Sequence, residues 1–234
     1  MIYFDHLPLE KDILEALAEL TINYVFQPIF YPDGKTVYAY EALMRPDNMS
    51  VTELIADYEK KDKLHVLEVA TFFGATQEFV LRGYTEYLSM NSFPSEAFTV
   101  GEGKVYSDYY GDILKQNIVE ILEYPYTSSR AVTLKKAAAV KEGVQIAIDD
   151  FGSGINNMDI VDMYQPHIVK LDRQLISEID KDKFKQAFVK QHIAEFHRRG
   201  IKVIAEGIER KEEFDLLKKY GTDFFQGFYL ARPA

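Results

Sequence analysis

The chain has 234 residues, 47% of them hydrophobic, with a formal net charge of −10 and no cysteine. That length suits an α/β barrel better than most other single domains, and the apolar share is enough for a sizeable core. The acidic balance argues against a general nucleic-acid binder, and the missing cysteine excludes disulfides and thiolate metal sites. With no apolar run long enough to span a membrane and no basic-then-apolar leader, a cytoplasmic protein that binds neither DNA nor membrane is expected.

Residues 9–20 carry Ile13, Leu14, Leu17 and Leu20 at helical spacing, so residues 1–22 read as the N-terminal lead-in helix of the same domain as residues 23–234. Two strand-like runs, VFQPIFY and TVYAYEALMR, flank Pro32-Asp33-Gly34-Lys35 and predict an antiparallel hairpin. Helices are expected over 51–59 and 64–79, then a strand over 88–91. A helix over 107–115 is expected to lead into the strand NIVEILE. Residues 128–142 read as a helix stopped by Gly143. From there VQIAIDD, a short helix over 157–164, HIVKLD, a long helix over 181–198, IKVIAE, a helix over 211–220 and DFFQG alternate to the end. This order predicts an α/β fold, a modified TIM (β/α)8-type barrel with one antiparallel strand near the N-terminus.

Most of the strand-like runs end in a polar group: Glu41, Asn91, Glu120 with Glu123, Asp149-Asp150, Lys170, Glu206 and Gln226. Parallel strands joined by helices point one way, so these ends gather on one face of a barrel. A ring of acids repels itself, and a pair of divalent cations is the economical counter-charge. Adjacent Asp149 and Asp150 disfavour joint ionisation unless a cation is bound, and Asp149 can bridge two metals with Asp150 on the second. Glu120 is read as a metal ligand, whereas Glu123, three residues on, is better placed to hold a neighbouring loop. Asn91 offers a neutral oxygen of the kind hard cations accept. Lys170 in a field of acids stays protonated and can orient a water or balance phosphate charge. Glu206 is a ligand candidate, and Glu209 a group supporting it from behind. None of the five histidines has metal-ligand spacing near these acids, and no Ser-His-Asp pattern, phosphate loop or dinucleotide fingerprint is present.

Glu41-Ala42-Leu43 followed by Met44-Arg45 resembles the signature of the EAL-domain cyclic-di-GMP phosphodiesterases. FQPIF, VEILE, IDDFGSG, PHIVKLD, IKVIAEGIE and QGFYLARP stand in that family's order and close to its spacing. The resemblance implies hydrolysis of cyclic di-GMP to linear pGpG with two ions of Mg2+ or Mn2+, and a homodimer. It implies Glu41, Asn91, Glu120 and Asp149 as ligands of one metal, and Asp149, Asp150 and Glu206 of the other. Lys170 resembles the lysine that positions the attacking water, Glu209 a supporting glutamate, and Glu123 the glutamate that holds the loop after Asp150. Gln27, Arg45 and Gln226 resemble substrate contacts, a role that suits the guanidinium fork of Arg45 against phosphate.

Three places depart from the pattern. Ile155-Asn156-Asn157 stands where the family has an aromatic and two small hydroxyl residues, Pro46 follows Arg45 where an aromatic is common, and residues 47–63 look short. With no room for a fused sensory or cyclase domain, control is expected from expression, a regulatory partner, or loop and dimer dynamics. The competing readings are an EAL-type receptor or protein-interaction module with weak turnover, and a metal-dependent phosphodiesterase for pGpG or another dinucleotide.

Overall fold

The computed structural model describes residues 4–234, with Asp112 described by its backbone alone. In chain order the elements are α1 (Lys11–Ala18), β1 (Ile22–Phe30), β2 (Val37–Pro46), α2 (Val51–Lys60), α3 (Leu64–Leu81), β3 (Tyr87–Ser92), α4 (Val100–Tyr110), a 3-10 segment (Gly111–Gln116), β4 (Asn117–Ile121), α5 (Ser129–Glu142), β5 (Gln145–Phe151), α6 (Met158–Tyr164), β6 (Ile168–Leu171), α7 (Arg173–Ile176), α8 (Lys183–Arg198), β7 (Lys202–Ala205), α9 (Lys211–Lys219) and β8 (Phe224–Phe225).

The eight strands close into a barrel in sequence order. β1 runs antiparallel to both β2 and β8, and every other neighbouring pair is parallel. The hairpin turn is held by Asp33, whose carboxylate accepts from the Lys35 and Thr36 amides, both at 2.9 Å, and from Thr36 Oγ1 at 2.6 Å. This local side-chain bonding is why an Asp in a turn sets the hairpin without a two-residue loop. Asn23↔Arg45 and Gln27↔Glu41 fall in register along the pair.

Two separate apolar clusters follow from the strand period of two. The larger lies between the barrel wall and the helices and includes Phe26, Ala42, Met90, Val119, Ile148 and Val169. The smaller plugs the barrel interior with Ile29, Ala39, Ile118, Ala147, Ile168, Ile204 and Phe224. Each residue of this plug stands two positions from a polar group on the same strand face: Gln27, Glu41, Glu120, Asp149, Lys170, Glu206 and Gln226 respectively. The plug thus forms the dry floor under the strand ends. Burying each large aliphatic residue of this floor contributes roughly 1.5–3 kcal/mol.

Residues 107–115 do not form the single helix the sequence suggests. α4 begins seven residues earlier, and a 3-10 segment carries the chain into β4. The start is set by a capping box in which Thr99 Oγ1 accepts from the Glu102 amide and the Glu102 carboxylate accepts from the Thr99 amide. Gly101 and Gly103 dilute the apolar periodicity of this helix, which hides it from a reading by period. Among the described residues no helix is long and apolar enough to cross a membrane.

Candidate active site

Lys170 is the centre of the strand-end cluster. Its Nζ lies 2.5 Å from Glu206 Oε1, 2.9 Å from Glu120 Oε2, 3.0 Å from Asp149 Oδ1 and 3.4 Å from Glu41 Oε2. The four acids come from β2, β4, β5 and the end of β7. Glu120 and Lys170 are 0% and 1% exposed, so this ion cluster has almost no water to screen it. Burial alone would lower the Lys170 ammonium, but Asp149, Glu120, Glu206 and Glu41 outweigh it and hold it well above its ordinary range.

One ammonium does not neutralise four carboxylates. Burial, then the charge of Glu41, pushes Glu120 up to about 8. Burial, then Asp149, pushes Asp150 up to about 7. Asp149 and Glu206 are raised as well, burial being the first cause in both. Neutral donors bind the same oxygens: Ser89 Oγ donates to Glu120 Oε1 at 2.5 Å, Asn91 Nδ2 to Glu41 Oε1 at 3.4 Å, and Gln226 Nε2 to Glu41 Oε2 at 2.7 Å. Gln226 is 3% exposed, and its Oε1 has no partner among the described residues. A buried acceptor left open beside a surplus of carboxylates fits a site that takes up cations.

The donor chemistry passes the same test. Asp149, Asp150 and Glu206 offer oxygens that all lie within 4.8 Å of one another. Hard cations prefer carboxylate and carbonyl oxygen, which is all this cluster supplies. Asp150 reaches the group because the strand breaks pattern there. The register between β5 and β6 shifts between Ile148 and Phe151, and Asp150 takes φ 49°. That left-handed backbone costs an Asp about 1 kcal/mol or more, and it brings two consecutive side chains to one side.

The loop after Asp150 is tied to β4's continuation. The Glu123 carboxylate accepts from the Ile155 amide in a very short bond, from the Asn156 amide at 3.4 Å and from Ser153 Oγ at 3.3 Å. A Cβ at Gly154 would stand 2.4 Å from Glu123 Oε1, so any larger residue there must push this carboxylate off the loop. Asn156 Nδ2 donates to the Asp149 carbonyl at 2.6 Å, which makes a residue of the departing Ile155-Asn156-Asn157 stretch a brace for the strand end that carries Asp149. Across the mouth, a Cβ at Gly227 would meet Ile208 O at 2.1 Å. This close approach lets Ile208 N donate to Gln226 O at 3.1 Å and fixes the segments carrying Glu206 and Gln226 against each other.

A cleft of about 300 Å³ opens over the cluster, lined by Gln27, Glu41, Asp150, Glu206, Glu209 and Gln226 among others. Gln27 Nε2 donates to the Ala231 carbonyl at 3.3 Å. Glu209 pairs with Arg173 at 2.7 Å on the cleft wall, away from the Lys170 cluster. Arg45 is outside the cleft wall: its Nη1 donates back to the Met44 carbonyl at 2.8 Å and the residue is exposed. It continues the strand face of Glu41 and Leu43 at the rim. Sequence reasoning passed over Ser89, Leu43, Arg173 and Phe228, and it gave no role to Asp172, which it read with Lys170 as the polar end of the HIVKLD strand. Ser89 was findable, because it stands two residues before Asn91 on the interior line. Asp172 caps α7 through the Gln174 amide at 2.7 Å, so its cleft position is coupled to a helix start too short to detect by period.

The chain is similar to solved structures and to curated proteins over nearly its whole length. The chain is 28% identical to a standalone versatile EAL protein from Vibrio cholerae O395 in its c-di-GMP bound form, with a TM-score of 0.82 over 92% of this chain and 93% of that one. It is 24% identical over 233 residues to the blue light- and temperature-regulated antirepressor BluF of Escherichia coli K12, covering 95% of this chain and 57% of that protein. It is 23% identical over 236 residues to the probable cyclic di-GMP phosphodiesterase PdeN of the same organism, covering 95% of this chain and 45% of that protein. The chain therefore spans about half the length of these two curated relatives. Since the EAL domain family model matches residues 10–233, nearly everything from α1 to the end, the chain belongs to the EAL domain family.

Proposed function

We propose that this chain is a metal-dependent phosphodiesterase that hydrolyses cyclic di-GMP to linear pGpG. The carrying observation is the set of Glu41, Glu120 and Asp149, all buried, and half-buried Glu206 around a single ammonium, which leaves an oxygen-rich, under-neutralised site beneath a cleft. A relative named a cyclic di-GMP phosphodiesterase and a similar fold solved with c-di-GMP support the choice of substrate.

In this reading Glu41, Asn91, Glu120 and Asp149 hold one cation, and Asp149, Asp150 and Glu206 hold the other, as Mg2+ or Mn2+. Two such cations supply charge neutralisation at the phosphoryl group and an acidified water. Lys170 keeps its proton and orients the nucleophile from below. Glu123 holds the loop that carries the Asp150 side of the site, and Glu209 steadies the wall through Arg173. Gln27, Gln226 and Arg45 contact substrate, with Arg45 turning from the Met44 carbonyl to a phosphate. The water oxygen attacks phosphorus in line with the 3′ oxygen and bonds to it as the P–O3′ bond breaks; the electron pair of that bond stays on O3′, and the proton given up by the water is balanced by the one O3′ takes up. A homodimer accompanies this reading.

A second reading, an EAL-type receptor or protein-interaction module, draws on one observation: the BluF relative is an antirepressor by name. Chromatography of cyclic di-GMP incubated with the protein plus Mg2+, plus Mn2+ and plus EDTA separates the two. Metal-dependent pGpG, abolished in Glu41→Ala, supports the enzyme. Saturable binding by calorimetry with no product in any metal supports the receptor.

A further inference from the structure

Every residue from Val66 to Thr76 of α3 is buried, and Glu68 is the one charged side chain in that run, 2% exposed. A carboxylate in the apolar layer between helix and barrel wall is costly unless its oxygens are bonded, and here both are. Ser92 Oγ donates to Glu68 Oε1 at 2.5 Å, and the Phe93 amide donates to Glu68 Oε2 at 2.9 Å. Ser92 ends β3 and Phe93 follows it, so α3 grips the chain directly after Asn91.

The grip is closed from α5. Lys135, 8% exposed, places Nζ 3.4 Å from Glu68 Oε1 and donates to the Phe93 carbonyl at 2.5 Å and to the Glu96 carbonyl. Both backbone polar groups of Phe93 are therefore held, the N–H by a carboxylate on α3 and the C=O by an ammonium on α5. On the strand side, the Leu122 amide donates to the Ser92 carbonyl at 3.1 Å. An apolar pair of similar size would fill the space of Glu68 and Lys135 equally well, so packing alone does not call for two charges here.

Successive strand side chains face opposite sides, so what holds Ser92 from outside also aims Asn91 inward. Asn91 stands in register with Glu120, on the same strand face as Ser89. Its own side chain is loosely tied, since Nδ2 reaches Glu41 Oε1 only at 3.4 Å. A neutral amide oxygen attracts a cation less than a carboxylate does. It serves as a ligand only where the backbone presents it at coordination distance, and that placement needs support from behind.

We propose that Glu68, balanced by Lys135, is a positioning residue for cation uptake: from outside the barrel wall, through Ser92 Oγ and the Phe93 amide, it sets the placement of Asn91. The pair touches neither cation nor substrate. This role rests on the reading of Asn91 as a cation ligand.

Calorimetric Mn2+ titration of the full chain tests it. The variant is Glu68→Met with Lys135→Met, because removing both charges leaves no unpaired one in the wall. Affinity for the cation that uses Asn91 is expected to fall about tenfold, the lower end of what losing a ligand's support costs. In an Asn91→Ala background the same two changes are expected to cost about twofold or less, because the ligand they position is gone. A purely stabilising pair would lower the melting temperature and leave Mn2+ affinity as it was. That result, or equal losses with and without Asn91, overturns the proposal. Should the double variant fail to melt cooperatively, Ser92→Ala, which removes one of the two bonds to Glu68, takes its place in the same cycle with the same sign expected. No saturable Mn2+ binding by the wild type, or affinity unchanged in Asn91→Ala, overturns the ligand set and this proposal with it. A loss in Asn91→Ala that the Glu68 variant does not share overturns this proposal alone.

Discussion

Lys170 Nζ lies 2.9 Å from Glu120 Oε2, and both side chains are shut off from solvent. A lysine placed this way is a fixed counter-ion for the cluster as much as a participant in chemistry. Its neighbours are acids at a position where an unpaired charge is expensive.

Replacing Lys170 by Met is expected to destabilise the metal-free protein by roughly 3 kcal/mol, since it strands acids that have only partial protonation as an escape. Added Mg2+ or Mn2+ should restore part of that loss, because cations take over the role of counter-ion. Turnover should fall by about 10²-fold or more, the scale seen when one positioned donor is removed from a reacting centre. Urea unfolding with and without Mn2+, beside pGpG production, measures both effects.

Glu123→Ala should disorder the segment from Ser153 to Asn156 without unfolding the barrel, because the carboxylate bonds two amides and a hydroxyl of that loop. Hydrogen exchange at the Ile155 and Asn156 amides is expected to accelerate at least tenfold, with activity falling in step. Glu123→Gln keeps one acceptor oxygen and should retain most of the protection. Gly154→Ala should resemble Glu123→Ala, since its Cβ would displace the same carboxylate.

The strand-end polar residues were legible in sequence because a strand has a period of two, and a parallel barrel converts that period into layers. Ala147-Ile148-Asp149 carries in three letters the floor, the outer wall and the site. What stayed hidden depends on backbone events that have no period. The left-handed Asp150, the cap that starts α7 at Asp172, and the fold-back of Arg45 onto its neighbour's carbonyl are of this kind. α4 was misplaced for a different reason: its start is written in Thr99 and Glu102, a capping pair, while its two glycines blur the apolar face.

His65 gives a pH dependence remote from the site. Bonds to Glu102 and then Glu96 raise it from 6.5 to about 10. A raised histidine contributes stability that is complete below pH 6.5 and is lost as pH climbs through about 10, because the native state holds a proton the unfolded chain has released. His65 also holds Glu96 below its ordinary range, and Glu102 too, against the burial that would raise it. The same cluster therefore loses stability again as pH falls beneath the usual carboxylate range. The wild type should lose about 1–2 kcal/mol more than His65→Gln between pH 6.5 and 10, after allowance for solvent screening. Parallel denaturant titrations at both pH values check the difference.

The acid cluster sets the opposite requirement for cations. Glu120 at about 8 and Asp150 at about 7 sit above their unfolded values, so the metal-free protein binds more protons than its unfolded chain between about pH 4 and 8. Its stability must fall as pH rises through that window, since the native acids give up protons that were favouring the fold. A cation needs those carboxylates ionised, so its affinity should rise over the same interval, by about tenfold for each carboxylate that must release a proton per pH unit below its native pKa. Saturating Mn2+ should then flatten or invert the slope of stability against pH between 6 and 8. Calorimetric Mn2+ affinity at pH 6, 7 and 8, paired with melts at each pH, measures it. An affinity unchanged across that range would remove Glu120 and Asp150 from the cation's ligands.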